Sequence, residues 1–494
     1  VGRGDSYECI RITLNWTMSS QAVNLKILLT KLPFGFKTKG EFWVIIISLV
    51  TGISFLYFPP MWVLAAIGIA LFMVILFYYP FVGVVAYLIV EYARIPAMFP
   101  SLQPLQMGKL VVVPTLLIWL FKSVSARKLK FVKTPLNWVM LAWLVLIFLS
   151  SIFAQNSDAA LNGAIDFAKW AVIFFLIVNL TDSLPKWQGF LWIFVLLNFK
   201  MSQFQLREFV AGYQMTQDPG YFIASGVGAG STAFFANASD FGVAMCVILP
   251  LALYLIKSIR PQILKSVAFV IFAFFALSIL TCGSRGAAVA LLIMALVYWI
   301  KSPKKILTGL LIAIFVFGFW SLSSQPWRER LISAFRYEKY PTASIRLNLW
   351  QAGIDMTLDH PLIGVGMNNF PFQYAEEYLP RERKVLWAPH NIFIQASSEL
   401  GVGGLLCLIL CIFYFFKANR KIRHIQKKYL LKNEWMVNFS HALDLSLIGY
   451  ITSGLFLTVL YYPHLYILVA MSVSLKNIVL EKQKVKNAGI MMTS

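Results

Sequence analysis

The stretch WAPHNIFIQASSELGVGG (387–404) sets a histidine and an asparagine between a proline and an apolar run. His390 opens a helix there. An imidazole ordinarily titrates near 6.5, so its neutral ring can take a proton from a hydroxyl at neutral pH, and a diphosphate beside it would raise its basicity. TCGSRGAA places Arg285 at the start of another helix, between Gly283 and Gly286. Glycine lets backbone approach a ligand closely, the helix start offers free N–H groups, and a guanidinium adds a two-pronged grip on phosphate. SIRLNLW sets Arg346 one turn before Trp350, on one helix face, which suits a phosphate lying beside a sugar or lipid. Each has a structural alternative: a snorkelling Arg285, an Arg346 stacked on Trp350, a His390 satisfied within the fold. Among the other histidines, His464 beside Tyr461 and Tyr462 competes more weakly, His360 before Pro361 reads as a helix stop, and His424 and His441 fall at the other membrane face.

Several chemistries have no counterpart. The chain lacks a phosphate-binding P-loop and a serine nucleophile elbow. Asp355 and Asp359 share a helix face, but no paired-carboxylate motif suggests a divalent metal. No metal and no cofactor is expected, so a donor must arrive already activated. A lipid-linked diphosphate sugar fits. Its tail lies in the bilayer, its diphosphate meets the arginines, and its departure needs charge stabilisation rather than ATP.

The elements that must position these groups are membrane helices. Of 494 residues, 59% are hydrophobic and 13% charged, about half the charge of a soluble domain. Apolar runs long enough, or nearly so, to cross a bilayer recur without alternation, which favours helices over a barrel. The expected fold is an all-α polytopic membrane protein of about 12–14 spans with one large, mostly helical extracytoplasmic loop. The expected divisions are an N-terminal cytoplasmic segment (1–41), a transmembrane bundle (42–322), the loop (323–398), C-terminal transmembrane helices (399–480, with spans near 400–416, 441–460 and 463–480) and a cytoplasmic tail (481–494). The first 20 residues have no signal-peptide core and no initial Met, so Met18 or a nearby site is a candidate start.

The net charge of +22 does not indicate nucleic acid. Lys and Arg gather in the connectors 122–133, 257–265, 301–305 and 417–432, which alternate with acid-containing or neutral ones. That places both termini in the cytoplasm and 154–166, 206–231, the Arg285 turn and 323–398 outside. From Arg328 to Lys384 the loop balances eight Lys/Arg against seven Asp/Glu. Within it, Thr342 can cap a helix bearing Ile345, Leu349 and Met356, and a short helix is expected near 368–379. Cys9, Cys246, Cys282, Cys407 and Cys411 show neither metal spacing nor a disulfide framework.

Four stretches in order around one outer loop resemble the bacterial O-antigen ligase/polymerase superfamily: FFANASDFG (234–242), GSRGA (283–287), SIRLNLWQAGIDMTLDHPLIGVGMNNF (344–370) and APHNIFIQASSELGVGG (388–404). Where the family often carries Asn-Pro-Asn, this chain reads Asn237-Ala-Ser-Asp240. The resemblance covers roughly 230–480. It implies metal-independent, inverting transfer of a glycan from undecaprenyl diphosphate to an acceptor hydroxyl at the outer face of a bacterial inner membrane. Arg285 and Arg346 would hold the donor diphosphate, and His390 would deprotonate or orient the acceptor. Asn391, Trp350, Glu399 and Asn237 would be orienting groups, Glu399 equally a helix-packing residue. The acceptor would be lipid A-core, a growing polysaccharide or a protein hydroxyl, which leaves ligase, polymerase and protein O-oligosaccharyltransferase open. A flippase for lipid-linked glycans is the alternative from another class; it would call for internal repeats and midplane polar groups, and no clear repeat is seen.

Overall fold

The computed structural model describes residues 59–93, 106–125, 131–216, 238–322, 341–380, 385–428 and 434–492, with a few single positions elsewhere. Asn237 and the expected segment 1–41 lie outside them. Every regular element among the described residues is a helix. The chain divides into two compact units, Val1–Phe72 and Met73–Ser494. The first described helix, α1 (Pro60–Tyr78), crosses that division, and all contacts below lie in the second unit.

Thirteen helices coincide with expected spans. After α1 come α2 (Phe81–Ala93), α3 (Met107–Ser125), α4 (Pro135–Ile152), α5 (Ser157–Leu180), α6 (Leu184–Thr216), α7 (Ala238–Ser258), α8 (Gln262–Thr281), α9 (Arg285–Lys301) and α10 (Lys305–Leu322). The loop contributes α11 (Pro341–Asp359) and α12 (Phe370–Glu377), and the chain closes with α13 (Ile392–Lys428), α14 (Glu434–Gly454) and α15 (Pro463–Met492). Seven described helices are long and apolar enough to cross a membrane, and three shorter apolar ones accompany them. The protein is an all-α polytopic membrane protein. Large apolar side chains such as Trp138, Ile263, Ile306 and Phe317 face outward, as a lipid solvent allows and water would not.

Helix α14 packs against α7, α9 and α13, while α13 also packs against α4 and α15. The connectors meet in two groups. At one end, Asn369 of the loop bonds through its side-chain oxygen to the Asn156 N–H (2.7 Å), Tyr462 donates to Asp240 (2.6 Å), and Gly286 lies against Phe456. At the other end, Asn438 on α14 donates to Ser258 (3.2 Å), Arg423 on α13 donates to Ser440, and the Val132 N–H bonds to Asn179. The two groups match the two sets of connectors separated by charge.

Local structure departs from the sequence reading at three places. α11 starts at Pro341, whose fixed φ suits a first helical residue, so Thr342 lies inside the first turn instead of capping it. α6 continues to Thr216, into the connector expected to begin at 206. The apolar run expected to be helical to 460 stops at Gly454, and 455–462 is an irregular segment. Such backbone is tolerated in a membrane protein only when protein satisfies it. Here Tyr450 donates to the Val459 carbonyl, Tyr466 to that of Leu460 (2.8 Å), and the Leu460 N–H donates to the Gln395 side chain (3.1 Å).

The loop has its own small core. Leu349, Ala352 and Met356, spaced along one face of α11, bury against Val365, Phe370 and Tyr374, with Ile394 of α13 at the edge. Burial of each large side chain contributes about 1.5–3 kcal/mol, enough in sum to fix α11 on α13.

Candidate active site

Helix α13 is two helices joined at Gly401, whose φ of 66° and ψ of −168° break the ladder. A break releases carbonyls from their i+4 partners, and the loop takes them up. The Val365 N–H donates to the Ser398 carbonyl (2.9 Å), the Gly366 N–H to that of Glu399 (3.0 Å), and the Val402 N–H turns instead to Pro361 (2.9 Å). Gly364 and Gly366 also have positive φ, and a side chain on Gly364 would strike the backbone of Glu399. The GVG and ELGVG stretches thus form one seam that docks the loop on the start of α13.

That seam fixes the short helix 392–400 and, at its head, His390. Asn391 caps the helix, its side-chain oxygen accepting from the N–H groups of Phe393 (2.9 Å) and Ile394 (3.3 Å). His390 has φ 49°, a left-handed backbone uncommon outside glycine. Two flanking bonds fix it there. The Trp350 indole N–H donates to the Pro389 carbonyl (3.1 Å), and the His390 N–H donates to the Thr458 hydroxyl (2.9 Å). Residues in sparsely populated conformations cost about 1–3 kcal/mol and cluster where the geometry serves function.

Arg346 stands one turn before Trp350 on α11, half-buried. Burial and the charge of Arg285 both hold its guanidinium below the ordinary arginine range. Arg285 is the first residue of α9; Gly283 turns the chain at φ 70° and Ser284 caps the helix by accepting from the Ala287 N–H (3.2 Å). His390 in turn is pushed down from 6.5 to about 4, by burial first and by Arg346 second. The fold therefore brings Arg285, Arg346 and His390 into one electrostatic neighbourhood, although α9 and α11 are separated by 39 residues of chain. Its ring is neutral at pH 7 and able to accept a proton.

Glu399 lies behind this group and is 1% exposed. It accepts from the Tyr461 hydroxyl (2.8 Å), with Gln395 at 3.5 Å, and the backbone N–H groups of Asn368 and Phe370 point at it. It ties the loop, the kinked helix and the 455–462 segment together. Asn391 and Trp350 likewise have structural partners that set the position of His390. Asn237 lies outside the described residues; Asp240, three residues on, is buried against Tyr462. Sequence reasoning did not single out Thr458, Gln395 or Tyr461 as site residues. Their one signal, polar groups within the apolar run LFLTVLYY and at the edge of a span, is weak without knowing that α14 ends early.

No curated protein matches the chain. A family model described as O-antigen ligase matches residues 268–409, from within α8 to within α13, a stretch that contains Arg285, Arg346, Trp350, His390, Asn391 and Glu399. Residues 268–409 are thus similar to the O-antigen ligase family, which supports the superfamily that the sequence motifs resemble.

Proposed function

We propose that this protein transfers a glycan from a polyprenyl (undecaprenyl) diphosphate to an acceptor hydroxyl, at the extracytoplasmic face of a bacterial inner membrane, with inversion at the anomeric carbon. The coarser part, a membrane protein of glycan-transfer, ligase-like type acting on a lipid-linked glycan and an acceptor, is supported by the O-antigen ligase family model that matches residues 268–409. The single observation that carries the finer part is two guanidinium groups held against their mutual repulsion beside a neutral, half-buried imidazole. Like charges brought together in a partly desolvated place favour an anion between them, and a diphosphate suits the arginine fork. The outer-face assignment is supported by the basic connectors, which gather at the opposite end of the bundle.

In this reading the diphosphate lies between Arg285 and Arg346 and the acceptor hydroxyl bonds to His390. The hydroxyl oxygen attacks the anomeric carbon, forming the new glycosidic bond. The bond from that carbon to the diphosphate breaks, and its electron pair leaves with the polyprenyl diphosphate, whose charge the arginines stabilise. The hydroxyl proton passes to His390. Donor binding also prepares the base, because the added negative charge offsets Arg346 and raises the basicity of the imidazole.

The test is transfer in proteoliposomes supplied with a lipid-linked glycan and candidate acceptors. His390→Ala should abolish transfer while expression and membrane insertion persist; full transfer by that variant would sink the base assignment. Donor moved across the bilayer with no covalent product would identify a flippase instead. Product on lipid A-core, on a second glycan or on protein separates ligase, polymerase and protein glycosylation.

A further inference from the structure

The end of the bundle away from the candidate site carries a second polar cluster. Helices α7 and α9 lie against each other. They carry Asp240 and Arg285 at the site end and finish in Lys257 and Lys301, with α9 spanning about 25 Å at 1.5 Å per residue. The Lys257 ammonium lies 5.0 Å from the ring centre of Tyr254 and 4.5 Å from that of Tyr298, so it leans from α7 across to α9. From α13, Arg423 reaches α14, where its Nη1 is 2.8 Å from the Asp444 carboxylate and 3.2 Å from both the carbonyl and hydroxyl of Ser440. Asn419 donates to Asp444 as well (2.8 Å). The charges of Arg423, Lys301 and Lys257 all bear on His441, the residue after Ser440.

Four helices thus gather three cations around one histidine. Asp444, which shares the cluster, is buried and matched by Arg423 and Asn419 at its base. Two positive charges, Lys257 and Lys301, remain at the exposed rim. Topology alone explains lysines at helix ends. It does not explain an arginine fixed inward on a buried acid, beside a histidine on which all three cations bear. Ammonium, guanidinium and imidazole donors at a junction of helices suit a phosphate group. The rim lies where lipid-facing helices end, with Trp299 and Ile300 exposed beside Lys301, so a headgroup can reach it while its chains stay in the bilayer.

We propose that the junction of Lys257, Lys301, Arg423 and His441 binds a phosphate group, supplied by an anionic membrane lipid. This does not rest on the transfer reaction. The test follows thermal unfolding of the full chain in detergent as phosphatidylglycerol, phosphatidylcholine or inorganic phosphate is added. Phosphatidylglycerol should raise the melting temperature by about 2 °C or more, as binding to the folded state requires, and phosphatidylcholine should not. The rise should vanish in Lys257→Gln/Lys301→Gln and persist in Arg420→Gln/Lys427→Gln, which removes two exposed charges elsewhere on α13. A rise with inorganic phosphate alone, lost in the same variant, would keep the phosphate site and reassign its source to a soluble anion. No rise with either, or an equal rise in both double variants, overturns the proposal.

Discussion

The indole N–H of Trp350 lies 3.1 Å from the carbonyl oxygen of Pro389, so the helix that carries Arg346 also fixes the backbone beside His390. Anion grip and base are thereby held by one rigid element. Trp350→Phe keeps the ring and loses this bond. A neutral hydrogen bond contributes about 0.5–1.5 kcal/mol net, so kcat should fall roughly 2- to 10-fold with little change in donor KM. Thr458→Val removes the second support and should act alike, with Thr458→Ser restoring the rate. A change in donor KM at constant kcat would assign Trp350 to donor binding instead.

The imidazole of His390, at about 4, is expected to stay neutral down to mildly acidic pH in the free protein. Arg346→Gln removes the second cause of that depression, so the ring should titrate at higher pH in the variant, as followed by NMR of labelled histidine. An unmoved titration would mean that Arg346 does not act on the ring. The sign for stability is also set. The folded value lies below the unfolded one, so from 6.5 down toward 4 the unfolded chain binds the proton first, and stability should decline across that window. His390→Asn, which tolerates the left-handed backbone, should flatten this contribution.

Gly401→Ala should undock the loop. A side chain there is strained at φ 66° and ψ −168°, a region essentially reserved for glycine, by about 1–3 kcal/mol, and would lie 2.5 Å from the Pro361 carbonyl oxygen. Limited proteolysis between α11 and α12 should speed up, and transfer should be lost with His390 still present. Unchanged protease resistance would show that the seam does not hold the loop.

Glu399 joins three segments through a buried carboxylate. Glu399→Ala should destabilise by several kcal/mol, since each buried donor left without an acceptor costs about 1–3 kcal/mol. Glu399→Gln, which can still accept from Tyr461, should fall between the variant and the parent in melting temperature. The reverse order would mean that charge matters more at Glu399 than hydrogen bonding.

Arg285, Arg346 and His390 were legible in the sequence because each breaks a local rule: a charge or an ionisable ring where a membrane edge favours neither. Their gathering at one site was an expectation that the resemblance carried; local patterns do not contain it, since it depends on α11 folding back over α13 across the turn at Gly364 and Gly366. The short α12 was legible from its turn residues and apolar spacing. Thr458 and Tyr461 stayed hidden because hydropathy reads LFLTVLYY as more helix. What ends α14 at Gly454 is a set of distant partners, Gln395 and Tyr466 among them, that no local window contains. Trp350 was read both as packing beside a sugar or lipid and, from the resemblance, as an orienting group; the bond from its N–H to Pro389 beside His390 depends on the fold and could not be read from its spacing.

The unwound ribbon at 455–462 carries one more implication. Its Leu460 amide and its Val459 and Leu460 carbonyls are answered by Gln395, Tyr450 and Tyr466, so peeling it back would bare them to hydrocarbon. Such a wall must stay shut throughout turnover. Fastening Thr458 to its neighbours should therefore be harmless to catalysis.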